Sequence, residues 1–181
     1  MSKKLLVLSD SHGHVAPLAA ALAWAKGVAP DAAVFLGDGL GDIDRAAARA
    51  GFSCAWHKVR GNNDIGFPCQ EAEAFEFGGR RFFICHGHRY SLYGGTDMLA
   101  AAARGRGADA ALFGHTHVPL VADAGGLLLL NPGSVGIPRS SLGATFAVVE
   151  CAPGEPLRAE VYGIDPAGGV SPVPRQPSGR L

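Results

Sequence analysis

Short apolar runs alternate along the chain with alanine-rich stretches of helical character. Residues 5–8, 33–36 and 110–113 are continuous apolar segments of strand length, the pattern of strands buried on both faces. Residues 55–59 read as a further strand. Between them, residues 15–26 (VAPLAAALAWAK) and about 43–50 read as helices. The first tolerates Pro17 in its opening turn, and the second stops at Gly51. Residues 72–77 and 80–85 flank a Gly78-Gly79 pair, the signature of a tight hairpin. Residues 96–104 form a third helical segment. From 119 onward, segments 119–122, 127–130, 145–150 and 157–162 read as strands joined by glycine and proline turns. The alternation predicts β-α units early and a strand-rich end. Residues 163–181 hold four prolines and four glycines with little to bury, which predicts a solvated tail after one domain over 1–162.

Composition narrows the class. A chain of 181 residues makes one folding unit able to bury a core without disulfides or structural metal. Sixteen Lys and Arg balance sixteen Asp and Glu, so a nucleic-acid polymer or an anionic membrane is not an expected partner. The cysteines Cys54, Cys69, Cys85 and Cys151 are widely spaced and read as reduced core thiols. No apolar run approaches the roughly 18 residues of a membrane span. The opening segment reads as a first strand rather than a leader, so a cytoplasmic location is expected.

Chemistry enters where the strands end. The segments LLVLSD, VFLGD, KVRGN, FFICH and LFGH deliver Asp10, Asp38, Asn62, His86 and His115 at their carboxyl ends. That is the edge of an open α/β sheet where ligands bind. Gly37, Gly61 and Gly114 come immediately before three of them, which permits a sharp turn or a close approach. Six of the seven histidines fall in i,i+2 pairs: His12/His14, His86/His88 and His115/His117. Chance placement gives about 0.2 such pairs, so isolated core or surface histidines are a poor account of the set. Imidazoles and carboxylates with an amide and no thiolate do not make a structural zinc knot. They suit Mn²⁺, Fe²⁺, Zn²⁺ or Ni²⁺. The donors are about twice what one ion needs, and two ions about 3.5–4 Å apart would use them all.

Asp10-Ser11-His12-Gly13, Gly37-Asp38, Gly61-Asn62-Asn63-Asp64, His86-Gly87-His88 and Gly114-His115-Thr116-His117 resemble the five blocks of the calcineurin-like metallophosphoesterases. The chain is most similar to the small bacterial YfcE-type phosphodiesterases, whose eukaryotic relative is the metallophosphoesterase-like subunit of retromer. Asn131-Pro132-Gly133-Ser134 and Ile137-Pro138-Arg139 also resemble that branch. The resemblance implies an α/β fold, an αββα sandwich of two packed mixed sheets flanked by helices. It implies two divalent ions, Mn²⁺ first, with Zn²⁺, Fe²⁺, Ni²⁺ or Mg²⁺ as alternatives. Asp10, His12 and His117 would hold one ion, Asn62, His86 and His115 the other, and Asp38 would bridge. A hydroxide between the ions would attack phosphorus in a small-molecule phosphodiester.

Many larger members carry His after the third-block Asn, where it is taken to protonate the leaving group. Asn63 stands here instead, and an amide supplies no proton at neutral pH. Protonation is then weak, or comes from His88 or a metal-bound water. Asn63, His14 and Arg139 are candidate substrate contacts, although His14 also fits a simple helix start. Asp42 and Asp44 suit helix capping better than ligation. The competing readings are a non-catalytic scaffold of the retromer kind, a phosphomonoesterase or phosphoprotein phosphatase, and a nuclease, the last disfavoured by the neutral charge. A homo-oligomer is compatible with the sequence.

Overall fold

A computed structural model gives the fold, described for residues 2–174. The chain runs β1 (Lys3–Leu8), α1 (Val15–Val28), β2 (Ala32–Phe35), α2 (Ile43–Ala50) and β3 (Trp56–Lys58). It continues through β4 (Ala72–Phe77), β5 (Arg80–Cys85), α3 (Asp97–Arg104), β6 (Ala110–Phe113), β7 (Leu120–Asp123) and β8 (Leu128–Asn131). β9 (Ala144–Cys151), β10 (Arg158–Ile164) and β11 (Val170–Pro172) complete it. One mixed sheet has the order β11-β10-β9-β1-β2-β3, the other β4-β5-β6-β8-β7. β1, β2 and β3 are parallel neighbours, as are β5, β6 and β8.

Side-chain alternation divides the interior into three layers. Leu5 and Val7 of β1 meet Phe82 and Ile84 of β5 and Leu112 of β6 between the sheets. Their neighbours Leu6 and Leu8 point the other way, onto Leu18 and Leu22 of α1 and Ile43 of α2. On the far side Phe83, Cys85 and Phe113 receive Leu99 and Ala103 of α3. Successive strand residues face opposite sides, so a strand covered on both faces must be apolar throughout. The αββα sandwich follows directly. Gly78 and Gly79 both take positive φ in the β4–β5 turn, the conformation a two-residue hairpin demands and glycine supplies.

The expected segments match the observed elements to within a few residues, and the sheet continues where a tail was expected. Gly163 and Ile164 close β10, and residues 170–172 add β11 along it. Val173 packs against the inter-sheet core. An edge strand needs only backbone partners on one side, so its sequence need not be apolar. Residues 175–181 of the expected tail lie outside the described residues. No described helix is long and apolar enough to cross a membrane.

Phe82 is fully buried between the sheets, with Phe75 stacked at 5.6 Å and Phe77 edge-on at 6.2 Å. Phe82→Ala is expected to cost about 3–5 kcal/mol, read as a lowered urea midpoint at unchanged m-value. A loss under about 1 kcal/mol would show that the two sheets do not depend on this contact.

Candidate functional site

The parallel strands of the two sheets end at a common edge, and the loops leaving them are stitched together by backbone. The Asp10 N–H donates to Gly37 O and the His12 N–H to Asp38 O, each at 3.0 Å, and Gly114 N–H donates to His86 O at 2.9 Å. Among the described residues, seven other than glycine have positive φ, and five of them are Asp10, His12, Asp38, His115 and His117. Bends of this kind are strained for side-chain-bearing residues and persist only where surrounding structure enforces them. The close approach also dictates two glycines. A Cβ on Gly61 would collide with the Asp38 carboxylate, and one on Gly114 with the Ser9 hydroxyl and the Asp10 carboxylate.

The side chains brought together form a tight set of acceptors. Asp10 is fully buried; its Oδ2 accepts from the Ser9 hydroxyl at 2.5 Å and the His115 N–H at 3.1 Å. Its Oδ1 accepts no hydrogen bond, and lies 3.1 Å from His117 Nε2, 3.6 Å from His12 Nε2 and 4.0 Å from His86 Nε2. Asp38 Oδ2 stands between two of these rings, 3.7 Å from His12 Nε2 and 3.4 Å from His86 Nε2. His86 Nδ1 donates to Leu36 O at 2.8 Å and His117 Nδ1 to Ile137 O at 2.6 Å. A carbonyl only accepts, so these bonds put the proton on Nδ1 and turn the Nε2 lone pairs toward the carboxylates. Lone pairs facing carboxylate oxygens at this range need positive charge between them, from protons or from a metal ion.

The protonation equilibria carry the same strain. Burial opposes ionisation of Asp10, but His117, His12 and His86 outweigh it and hold its carboxyl well below the usual range. Burial likewise opposes ionisation of Asp38, yet His86 and both Asn63 donors bring it down to about 2. Burial presses His86 toward neutrality, while Asp38 and Asp10 carry its pKa above the ordinary value. The hydrogen bond to Asp10 raises His12 against its own burial. His115 and His88 are shifted down, by burial first and then by His86. Asp10, His12 and His117 form one trio whose ligand atoms lie within 4.8 Å of one another, and Asp10, Asp38 and His86 a second. Each can hold a metal ion. The orphaned Asp10 Oδ1 and His86 Nε2, buried in hydrogen-bond terms, fit such an occupant.

Two carboxylates that the sequence reading did not place in the site hold it in shape. Asp64 is 5 % exposed and accepts four backbone N–H groups, from Asp38, Gly39, Leu40 and Gly61, at 2.7–2.9 Å. It ties the loop after β2 to the loop after β3. Asp42 was expected to cap α2, but makes no side-chain capping bond there. Its carboxylate instead accepts from Ser11 Oγ and the Gly13 N–H, both at 2.7 Å, and from Arg45. These bonds hold its pKa below the ordinary value against burial. Asp44 is exposed in the first turn of α2. Asn131 and Ser134 brace the other side: Asn131 Nδ2 donates to Gly114 O and Ser134 Oγ to Asp10 O. A buried acceptor of several backbone N–H groups has no sequence signature beyond a carboxylate near a turn.

The remaining candidates fall around this centre. His115 is half-buried with its ring 5.1 Å from that of His86. Asn62 is exposed and lines a cavity of about 310 Å³ with His88, Arg60 and Arg89. The His88 ring lies 5.5 Å from His86, and its buried Nδ1 has no hydrogen-bond partner. Asn63 donates to Asp38 through both its backbone N–H and its side-chain amide. His14 sits exposed at the start of α1, with Nδ1 bonded to Ser11 O. Arg139 is exposed and donates to the Tyr93 hydroxyl at 3.0 Å. His57 stacks on Phe75 at 3.7 Å and pairs with Glu73 at 2.8 Å. The four cysteines are free; Cys54 and Cys69 are half-buried, Cys85 and Cys151 buried, and burial pushes all four thiols up.

Comparison with known proteins adds a family. Residues 4–154 match the model of the calcineurin-like phosphoesterase superfamily domain. A probable metallophosphoesterase of Mycoplasma pneumoniae is 34 % identical over 140 residues, covering 76 % of this chain and 82 % of that one. Phosphodiesterase YfcE of Escherichia coli K12 is 29 % identical over 170 residues, covering 81 % and 87 %. A predicted phosphoesterase structure from Streptococcus pneumoniae TIGR4 superposes with a TM-score of 0.76 at 25 % identity, over 96 % of this chain and 98 % of that one. Vps29 of Entamoeba histolytica, solved with Zn²⁺, shares the fold at a TM-score of 0.72 and 23 % identity, over 94 % and 97 %.

Asp64→Ala strands four backbone donors and is expected to lower stability by at least about 3 kcal/mol and divalent-ion affinity by about 10–100-fold. Urea unfolding and calorimetric titration with Mn²⁺ measure the two; an ion affinity within twofold of the parent would remove Asp64 from the centre's support. Asp42 makes a separate test. Its folded pKa is depressed, so its stabilisation is present above the unfolded value of about 3.9 and is lost as pH falls through the lower folded value. Asp42→Asn is expected to flatten the acid limb of a stability–pH curve below about pH 4, and an unchanged limb would contradict the Ser11 and Gly13 contacts.

Proposed function

Because the chain belongs to the calcineurin-like phosphoesterase superfamily, we propose that it is a metal-dependent phosphodiesterase acting on a small-molecule phosphodiester. The observation that carries this reading is the pair of acceptor trios sharing Asp10, with a buried carboxylate oxygen and a buried imidazole nitrogen left without hydrogen-bond partners. In it Asp10, His12 and His117 hold one ion, and Asn62, His86 and His115 the other. Asp38 lies between, and the near-equal separations of its Oδ2 from His12 and His86 support that role. Mn²⁺ is the first choice for an oxygen- and imidazole-rich set, with Zn²⁺, Fe²⁺, Ni²⁺ and Mg²⁺ as alternatives. Ions in such a centre lower the pKa of an attacking water and neutralise charge on the phosphoryl oxygens.

The chain's own residues then have defined tasks. The carbonyls of Leu36 and Ile137 keep His86 and His117 in the tautomer that presents Nε2. Asn63 holds the Asp38 carboxylate with two hydrogen bonds and supplies no proton. His88, beside His86 and on the wall of the cavity that Asn62 also lines, is the side chain placed to give a proton to the departing alcohol. Burial lowers its pKa, so at neutral pH the ring is mostly unprotonated and seldom has that proton to give. Departure therefore depends on the alcohol's own acidity.

Metal-free protein supplied with Mn²⁺ is expected to hydrolyse bis(p-nitrophenyl) phosphate. Asp38→Asn is expected to lower kcat/KM well over about 100-fold, since it removes the negative charge and leaves one oxygen where the carboxylate offers two. Aryl diesters should be turned over far faster than dialkyl diesters. Comparable rates for the two classes, together with an unaffected His88→Ala, would overturn the account of leaving-group departure. Ion binding without hydrolysis of any diester would favour a scaffold, and exclusive turnover of monoesters a phosphatase.

A further inference from the structure

The exposed apolar residues are not scattered. Among the described residues, the large hydrophobics that stand in solvent are Ile65, Phe67, Tyr93, Met98, Val118 and Ile137. Ile65 and Phe67 follow Asn62, Val118 follows His117, and Ile137 supplies the carbonyl that holds His117. Tyr93 and Met98 lie on the loop after His88 and the helix it leads into. None stands on loops at the opposite edge, such as 29–31 or 105–109. Exposed apolar side chains gathered on the segments that leave the candidate metal site suit a binding surface better than scattered exposure does.

Tyr93 is the residue on this rim whose position is built. It is 73 % exposed, yet the turn that carries it is fixed at several points. Ser91 adopts left-handed backbone without being glycine, Tyr90 N–H donates to Gly87 O, and Gly94 N–H donates to Ser91 O. Leu92 packs into the α3 layer, so the next side chain along this short 3-10 turn, Leu92–Gly94, is thrown outward. The Tyr93 ring lies 5.9 Å from that of His115, and its hydroxyl accepts from Arg139 Nη1 at 3.0 Å. Arg139 has no carboxylate partner among the described residues, while Arg60 and Arg89 on the far flank both pair with Glu71. A rigid aromatic face fixed beside the reacting centre, with one edge tied to a guanidinium, is suited to stacking a flat ring.

We infer that Tyr93 is a specificity-determining residue that stacks an aromatic or heterocyclic group on one alcohol of the phosphodiester, so that the substrates are nucleoside-like or aryl diesters rather than purely aliphatic ones. Arg139 positions the ring. The inference rests on the phosphodiesterase reading for its setting, and its test separates the two.

The p-nitrophenyl esters of thymidine 5′-phosphate and of methyl phosphate release the same phenol and differ only in the alcohol retained. With Mn²⁺, the parent is expected to prefer the thymidine ester, and Tyr93→Ala to lower the kcat/KM ratio of the two esters about tenfold, mainly through KM. Tyr93→Phe keeps the ring and is expected to keep most of the preference. Calorimetric titration with thymidine 5′-monophosphate and with methyl phosphate reads the same discrimination without turnover. A ratio unmoved by Tyr93→Ala, or lowered as much by Tyr93→Phe, overturns the stacking role. If neither ester is hydrolysed, the phosphodiesterase reading fails, and the calorimetric ratio across the same variants still decides for or against Tyr93.

Discussion

Two buried carboxylates and three imidazole nitrogens are pressed together at one edge of this molecule with too few hydrogens to satisfy them. Asp10 spends one oxygen on Ser9 and the His115 amide, which leaves the other facing nitrogen atoms that are themselves acceptors in the neutral rings. Such an arrangement is repulsive unless positive charge enters it. The surrounding structure is best understood as what holds these groups against that repulsion. Asp64 gathers four N–H groups from two loops, Asp42 and Ser134 hold the loop after β1, and Asn131 holds the loop after β6. Left-handed backbone at five of the converging residues is the residual strain.

The αββα architecture makes this crowding possible. Parallel strands in each sheet end on the same side, so the loops that leave them cannot avoid one another. Glycine at 61 and 114 lets backbone pass within contact of the Asp38 and Asp10 carboxylates. The sandwich core and the polar centre thus depend on the same segments, since residues 5–8, 32–35, 82–85 and 110–113, which lead into Asp10, Asp38, His86 and His115, are apolar and buried. The supporting contacts lie outside those segments, in loops whose hydrogen bonds run between residues far apart in the chain.

That division explains how much was legible beforehand. Strand and helix positions such as 72–77, 80–85 and 110–113 follow from local periodicity and glycine turns, and they coincide with β4, β5 and β6. β11 was not legible, because an edge strand needs only backbone partners. Asp10, Asp38, His86 and the paired histidines announce themselves by spacing at strand ends. Asp64 and Asp42 do not, since a carboxylate that binds backbone N–H groups looks in sequence like any turn or cap residue. The turn at 89–95 was opaque for a related reason: whether Leu92 or Tyr93 faces outward is decided by packing against α3, not by the residue types.

One feature of the layout reaches beyond the site. Asp10, His12 and Asp38 leave the sheet that contains β1 and β2, whereas His86, His115 and His117 leave the sheet that contains β5 and β6. Neither sheet alone assembles a complete donor set. An ion gripped by both is a clamp across the seam of the sandwich, and by linkage its binding free energy is added to the stability of the folded chain. Withdrawing the ion would then loosen the seam between the two sheets as well as empty the site, and the loss would be read as a lower unfolding midpoint of the whole domain.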